Sequence, residues 1–524
     1  VSTDPVDPLE RFSRVRRELE ARWPENQIAP ALDRIRTLTQ FLGDPQRAYP
    51  VIHVTGTNGK TSTARMIESL LRSFGLHTGL ITSPHLSDLR ERIRLDGQPL
   101  DLEAFLEVYD EIAPVLAMAD EASELEGGPR LSFFEVMTAL GFAAFADAPV
   151  DVAVVEVGMG GTWDATNVAD GQVAVITPVG MDHSDYLGDS LADIAGEKAG
   201  IIKPSSSVVL AAQEPEVMEV LAAAAVQLEA PTVVEGLHFG VLDRVLAVGG
   251  QQVTLRGLGG DYEEVFLPLF GAHQARNAAT AVAAVESFFG ITPGAGDGQA
   301  REQAGVAAPP AGTAGEAPVD LREGVDAAGI ATDVPLPTPG RQLDPVVVRE
   351  ALAAVTSPGR LEVVRRSPTV VVDAAHNVPG AAALAAAVEE AFTFSACVGV
   401  VGVLADKDAA GILAALDPVV DSVVVTRSSS ARAIPVDELA DIAAGVLGDN
   451  RVVAVERLDE ALERAIEIAE VATPAGVGAG VLVTGSVTIA GEARLLLGAE
   501  SGSESGATRA DHAAPRGRAP ESDS

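Results

Sequence analysis

The stretch Val51-Ile-His-Val-Thr55-Gly56-Thr57-Asn58-Gly59-Lys60-Thr61-Ser62 limits the possible folds more than any other. An apolar run, a Gly-rich turn, then a lysine and hydroxyl residues opening a helix is the pattern of a strand–phosphate loop–helix unit. In such a unit backbone N–H groups and a lysine ammonium cradle phosphate oxygens. Only Thr57 and Asn58 separate the two glycines, against four residues in the standard loop. Alone, the loop reads as an ATP or GTP site in an α/β domain.

At 524 residues the chain is too long for one hydrophobic core, so two or three domains are expected. It carries 75 Asp+Glu against 37 Lys+Arg, a net charge of −38, which opposes binding to nucleic acid or an anionic membrane. No run approaches the ~20 apolar residues that span a bilayer, and residues 1–25 lack the apolar centre of a secretory leader. The single cysteine, Cys397, excludes an intramolecular disulfide and reads as a buried hydrophobe. A cytoplasmic protein is expected.

The basic residues are sharply biased. The only lysines are Lys60, Lys198, Lys203 and Lys407; the other 33 are arginines. Arginine cannot imitate a compact ammonium in a phosphate loop, nor offer a neutral amine. Each lysine is therefore a functional candidate, although chance retention is an easier account of Lys203 and Lys407 than of the other two.

Along the chain, residues 9–42 read as helical with a break at Trp23-Pro24, and a helix is expected over 61–74. A strand over 78–82 runs into Ser83-Pro84-His85, which places polar groups at the carboxyl end of a parallel strand, where open α/β sheets bind ligands. Arg90 to Arg94 is a basic cluster, either facing an anionic substrate or a solvated face. Phe133-Phe134-Glu135 precedes a helix expected over 136–147 and either clamps a flat ring or packs in the core. A buried strand ending in Glu156, close to a phosphate loop, places a carboxylate where a Mg²⁺ ligand belongs. Asp182-His183 follows another strand, helix 191–200 carries Lys198, and 231–269 looks β-rich. The helix after Gly271 carries Asn277. Domains are expected at 1–291 and 341–498, separated by a low-complexity linker at 292–340 and followed by a disordered tail at 499–524. In the second unit Arg360 precedes the first strand, and Asp373 and His376 follow the second.

This ordered set resembles the folylpolyglutamate synthase/dihydrofolate synthase branch of the Mur ligase superfamily. The motifs are Gly-Thr-Asn-Gly-Lys at 56–60, Ser-Pro-His at 83–85, Phe-Phe-Glu at 133–135, Glu-Val-Gly-x-Gly-Gly with Asp-Ala-Thr-Asn at 156–167, and Asp-His at 182–183. They continue with Gly-Glu-Lys-Ala-Gly-Ile-Ile-Lys-Pro at 196–204, His-Gln-x-x-Asn-Ala-Ala at 273–279, Pro-Gly-Arg at 358–360 and Asp-x-Ala-His-Asn at 373–377.

The resemblance implies an N-terminal P-loop mononucleotide-binding α/β domain, a C-terminal Rossmann-like α/β domain, and an active site in the cleft between them. ATP would phosphorylate the carboxylate of dihydropteroate or the γ-carboxylate of a reduced folate, and L-glutamate would attack the acyl phosphate. Gly56, Thr57, Asn58, Gly59, Lys60, Thr61 and Ser62, with Asn277, Arg360 and Asp373, are implied to hold ATP. Ser83, Glu156 and His183 are implied to hold Mg²⁺, with Thr61 or Ser62 as a further hydroxyl ligand. Lys198 matches a lysine that is carbamylated in the superfamily, a simple phosphate contact being the alternative. His376 is implied to position the glutamate or acyl phosphate. Ser132, Phe133, Phe134, Glu135, Trp163, Asp164 and Ala165 match pterin contacts. The chain departs from the family in having Thr61-Ser62 for Gly-Ser, and Thr162-Trp163 where many relatives have Arg-Leu. A folylpolyglutamate synthase alone, a nucleotide-sugar ligase and a non-catalytic nucleotide-binding regulator are the alternatives. A monomer is expected.

Overall fold

The apolar run of the opening motif is β1 (Val51–Thr55), buried along its whole length in the middle of an eight-stranded sheet. Helices cover both faces, which is why the strand is continuously apolar rather than alternating. The computed structural model describes residues 7–24, 31–293, 341–472 and 478–498. The tail at 499–524, and the linker apart from Thr292 and Pro293, lie outside these residues.

Helices α1 (Pro8–Glu20) and α2 (Asp33–Phe41) precede β1. After it come α3 (Lys60–Ser73), β2 (Thr78–Ile81), β3 (Ile93–Leu95), β4 (Gln98–Pro99), α4 (Leu102–Leu125), α5 (Phe133–Asp147) and β5 (Val152–Glu156). The sheet is completed through β6 (Val173–Ile176), α6 (Ser184–Leu187), α7 (Leu191–Ala199), β7 (Ser207–Leu210), α8 (Pro215–Gln227) and β8 (Thr232–Val234). Its order is β4-β3-β2-β5-β1-β6-β7-β8, parallel except for the β3–β4 edge. Val54 pairs with Glu156 on β5 and Val175 on β6. The phosphate loop, Glu156, Thr177 and Ser83 therefore share the carboxyl edge. An antiparallel sheet of β9 (Gly240–Ala247), β10 (Gly250–Arg256) and β11 (Asp261–Leu267) follows, then α9 (Ala272–Phe288), which packs with α3 and that sheet in one core.

The structure moves the domain boundary. Helix α10 (Pro345–Ala353), in the stretch assigned by sequence to the second unit, inserts Val347, Val348, Ala351 and Leu352 into the core beneath α3. Ser69 Oγ also donates to Ala351 O at 2.8 Å. The first domain thus reclaims the chain up to Val355, which that same core buries.

The second domain contains β12 (Glu362–Arg366), β13 (Thr369–Val372), α11 (Val378–Ala391), β14 (Ala396–Val401), α12 (Ala409–Leu416), β15 (Ser422–Val425), α13 (Val436–Leu447), β16 (Val452–Ala454), α14 (Leu458–Val471), β17 (Ala479–Thr484) and α15 (Val487–Leu496). The strand order is β12-β13-β17-β14-β15-β16, with only β12 antiparallel. Cys397 is buried on β14, where burial pushes its thiol up to about 12. No helix among the described residues is long and apolar enough to cross a membrane.

Two local expectations change. The basic cluster is not a solvated face: Arg92 and Arg94 are 4% and 8% exposed. Arg92 lies 5.0 Å over the Phe133 ring, and its Nε donates to His85 Nδ1 at 2.8 Å. Helix α5 starts at Phe133 rather than 136, because Ser132 and Glu135 form a reciprocal capping box.

Candidate active site

The loop after β1 is built by close backbone approach. A Cβ on Gly56 would lie 1.9 Å from Thr177 Oγ1. One on Gly59, at φ +87°, would lie 2.7 Å from Asn277 Oδ1. The N–H groups of Thr57 and Asn58, expected to face phosphate, instead donate to Pro178 O at 2.9 and 3.3 Å. Thr57 Oγ1 exchanges hydrogen bonds with Gly180. The first helical bond of α3 runs from Thr63 N to Gly59 O. The N–H groups of Lys60, Thr61 and Ser62 are therefore the ones the helix leaves for an anion.

The two loop hydroxyls diverge. Thr61 Oγ1 donates to Glu156 Oε1 at 2.8 Å, whereas Ser62 is buried against Gln274 and Ser357. Glu156 also accepts from Ser83 N at 3.2 Å. Burial raises the pKa of this 1% exposed carboxyl, and Lys60, Thr61, Ser83 and Arg360 oppose the rise. Lys60 Nζ reaches Gly56 O and Thr57 O, both at 3.1 Å. Burial lowers its pKa, partly offset by Glu156 and Asp182. Lys198, 3% exposed on α7, donates to Gly56 O at 2.8 Å. Burial, reinforced by Lys60, brings its pKa down to about 7, so a large fraction is a neutral amine at physiological pH.

Among the described residues no three His, Cys, Asp or Glu side chains come together as a metal cage. Mg²⁺ needs none: it keeps several waters, binds substrate phosphates, and takes one or two protein carboxylates. A buried, desolvated Glu156 beside the Thr61 hydroxyl and the helix N-terminus fits that requirement. The Ser83 peptide N–H rather than its hydroxyl is what contacts Glu156.

Across the cleft the second domain brings three side chains to Asp182. Lys407 Nζ donates to its Oδ1 at 2.6 Å, Asn377 Nδ2 donates to its Oδ2 at 2.9 Å, and His376 Nε2 lies 3.9 Å from Oδ2. His183, left-handed at φ 53°, also holds its Nε2 3.9 Å from Oδ2. Burial pushes the Asp182 carboxyl up, but His183, Lys407 and His376 hold it well below the usual carboxylate range. Burial lowers both histidines, His183 to about 4. Asn377 pairs its amide reciprocally with Asn58 of the loop at 3.2–3.3 Å. Arg360 Nη1 donates to Gly359 O, while Asp373 accepts from Leu361 N and Ala375 N, both at 2.8 Å, so its carboxylate fixes the turn that carries Arg360. Asn277 is buried and donates to Gln274 Oε1 at 3.1 Å.

A cavity of about 360 Å³ links this cleft to an aromatic end. His183, His376 and Lys407 line it together with Trp23, Phe134 and Trp163. Ser132, Glu135, Asp164 and Ala165 also reach it. Phe133 does not: it is 8% exposed and belongs to the domain core. Adjacent helical residues point about 100° apart, so the two phenylalanines cannot clamp one ring together. Glu135 accepts from Ser132 N at 2.7 Å and Arg34 Nε at 3.1 Å. Asp164 is likewise engaged, accepting from Met159 N, Thr166 N and Thr166 Oγ1.

Residues 132–285 match the Mur ligase middle domain, and 359–487 the Mur ligase glutamate ligase domain. The chain is 47% identical over 508 residues to a dihydrofolate synthase/folylpolyglutamate synthase of Mycobacterium tuberculosis, covering 94% of this chain and 95% of that one. The chain belongs to this family. A solved Mycobacterium tuberculosis folylpolyglutamate synthase, complexed with ADP and AMPPCP, superposes with a TM-score of 0.81 at 46% identity, covering 94% of this chain and 99% of that chain. An FPGS–AMPPCP–folate complex superposes at 0.70 with 28% identity, covering 93% and 99%.

The groups that join the two domains are not evident from the sequence of this family member. In the sequence Asp182 stands out only as the neighbour of His183, Asn377 only as part of a motif, and Lys407 only as a rare lysine. Arg34, which stacks 5.2 Å over Trp23 and pairs with Glu135, carried no sequence signal, because the side chains it meets lie far along the chain.

Proposed function

We propose that this ATP-dependent carboxylate–amine ligase joins L-glutamate to dihydropteroate and to the γ-carboxylate of reduced folates, acting as a cytoplasmic monomer. The observation that carries this reading is one cavity lined by Trp163 and Phe134 together with His376 and Lys407, with Ser83, whose N–H meets Glu156, also on its wall. A flat ring system at one end leaves its carboxylate near the γ-phosphate at the other.

A carboxylate oxygen attacks the γ-phosphorus of ATP, releasing ADP and forming an acyl phosphate. The α-amine of glutamate then attacks the acyl carbon, phosphate leaves, and the amine loses its proton. Both partners of the first step are anions, so fixed positive groups are essential. Lys60 and the N–H groups opening α3 supply them on one side. Arg360, with Asn277 nearby, supplies them when the domains meet. Bound beside Glu156, with Thr61, Ser83 and His183 around it, Mg²⁺ would neutralise phosphate charge. Lys198 adds its neutral amine to CO₂, forming a carbamate and releasing a proton, which turns a neutral amine into an anionic group. His376, its Nδ1 2.9 Å from Ala374 O and its Nε2 3.9 Å from Asp182 Oδ2, lines the cavity where it would position the glutamate or the acyl phosphate. Phe134, Trp163 and Ala165 supply apolar contact for the pterin, with Ser132 and the Arg34–Glu135 pair at its polar edge.

ADP release is the test, with ATP and L-glutamate present and either dihydropteroate or tetrahydrofolate supplied. Turnover with both establishes both activities. Turnover with tetrahydrofolate alone reduces the reading to polyglutamylation, and turnover only with a nucleotide sugar overturns it.

A further inference from the structure

Lys203 is the one lysine without a place in this scheme. It lies just past α7, partly exposed, and makes no ion pair within 4.0 Å among the described residues, although Asp170 acts on it from further away. Its Nζ donates instead to a neutral amide, Asn167 Oδ1, at 2.8 Å. An asparagine amide in a polar setting can be turned either way, but an ammonium has only donors to offer. Lys203 therefore forces Oδ1 towards itself and turns Nδ2 the other way. There Nδ2 donates to Thr162 O at 3.0 Å and Gly200 O at 3.1 Å.

Those two carbonyls belong to different working parts. Thr162 precedes Trp163, a wall of the cavity, and Gly200 caps the helix that carries Lys198. The two segments are also joined directly. Thr162 N and Oγ1 both donate to Glu197 O, at 2.9 and 3.1 Å. At Gly161 a Cβ would come within 2.5 Å of Glu197 O and 3.1 Å of Lys198 Cα, so the strands of backbone lie directly on each other.

We infer that Lys203 and Asn167 are positioning residues that set the ring-binding wall at Trp163 in register with Lys198, and so place a pterin-bearing carboxylate relative to the phosphate end of the cleft. The inference rests on the folate reading of the cavity. Neither residue touches substrate. Lysine suits the position because its single nitrogen reaches one amide oxygen without a planar group entering the packed turn.

Kinetics and amide hydrogen exchange test this on Lys203→Met, Lys203→Arg, Asn167→Ala and the Lys203→Met/Asn167→Ala double variant. Lys203→Met is expected to lower kcat/KM for the pterin substrate by about tenfold to a hundredfold, leaving the KM for ATP within about twofold. Lys203→Arg, still a donor, should recover part of the loss. The double variant should be no worse than Asn167→Ala, because the lysine acts through that amide. Exchange should speed up together in 158–167 and 197–203. Additive losses, an equal rise in the KM for ATP, or exchange confined to one segment would overturn the inference. If wild-type enzyme turns over no folate substrate, the functional reading fails while the exchange result still decides whether the two segments are coupled.

Discussion

The Asp182–Lys407 pair is the most testable link between the domains. Its 2.6 Å hydrogen bond joins two side chains that are each 7% exposed, one from each domain. Asp182→Asn leaves the Lys407 ammonium desolvated in the closed cleft with no full countercharge; Asp406 is 3.7 Å away and already paired with Arg432. Breaking a buried pair from one side costs about 3–5 kcal/mol. Here the penalty falls on closure rather than on folding, because an opened cleft lets each group rehydrate. Even the lower bound of about 3 kcal/mol lowers the closing equilibrium by roughly a hundredfold. Asp182→Asn and Lys407→Met should each lower kcat/KM by about that factor, with small changes in Tm because the pair lies outside both cores. The double variant removes both charges and should regain much of the loss, with a coupling energy above about 1.5 kcal/mol. Effects that add to within about 0.5 kcal/mol would refute the ion pair as the agent of closure. The pair should survive moderate acid. With the Asp182 pKa depressed in the closed cleft, its contribution to closure is complete above the ordinary carboxylate value near ~3.9, which a rehydrated Asp182 takes, and is lost only as pH falls towards the depressed one.

Further outcomes concern Lys198 and the two phenylalanines. Lys198→Ala should abolish ligation and be partly rescued by added short carboxylates. In the native enzyme the bicarbonate needed for half-maximal activity should fall as pH rises through about 7, where the amine becomes neutral, and a flat profile would exclude the carbamate. Its buried amine also makes folding stability rise with pH from about 7 towards the unfolded value near ~10.4, since the unfolded chain there binds the extra proton. Phe134→Ala should raise the KM for the pterin substrate about tenfold with little change in Tm, whereas Phe133→Ala should destabilise the first domain by about 3–5 kcal/mol; thermal unfolding beside steady-state kinetics separates them.

Much of this was legible because it is local. Strand, loop and helix at 51–73 follow from periodicity and two glycines. Glu156 and His183 could be placed at strand ends without knowing the sheet order. What escaped was whatever depends on distant partners. That Thr57 and Asn58 give their N–H groups to Pro178 follows from the register of β1 with β6, not from the loop sequence. That Phe133 turns inwards and Phe134 outwards follows from where Ser132 starts the helix. Helix α10 reads as the beginning of a second unit, yet its apolar face completes the first domain's core, and only the packing decides which side of the boundary it joins.

The lysine bias acquires a physical account when the four sites are compared. Lys60 reaches two loop carbonyls, Lys198 one, Lys203 one amide oxygen and Lys407 one carboxylate oxygen. None engages a carboxylate in the two-pronged geometry that a guanidinium supplies, whereas Arg90 with Asp88, Arg494 with Glu362 and Arg276 with Glu235 all do. Lys198 and Lys407 are each buried where a planar guanidinium would need additional hydrogen-bond partners to be tolerated. Lys198 has the further requirement of a neutral nitrogen, which arginine cannot meet. In a chain that otherwise uses arginine for charge, lysine persists where a small single-point donor is needed.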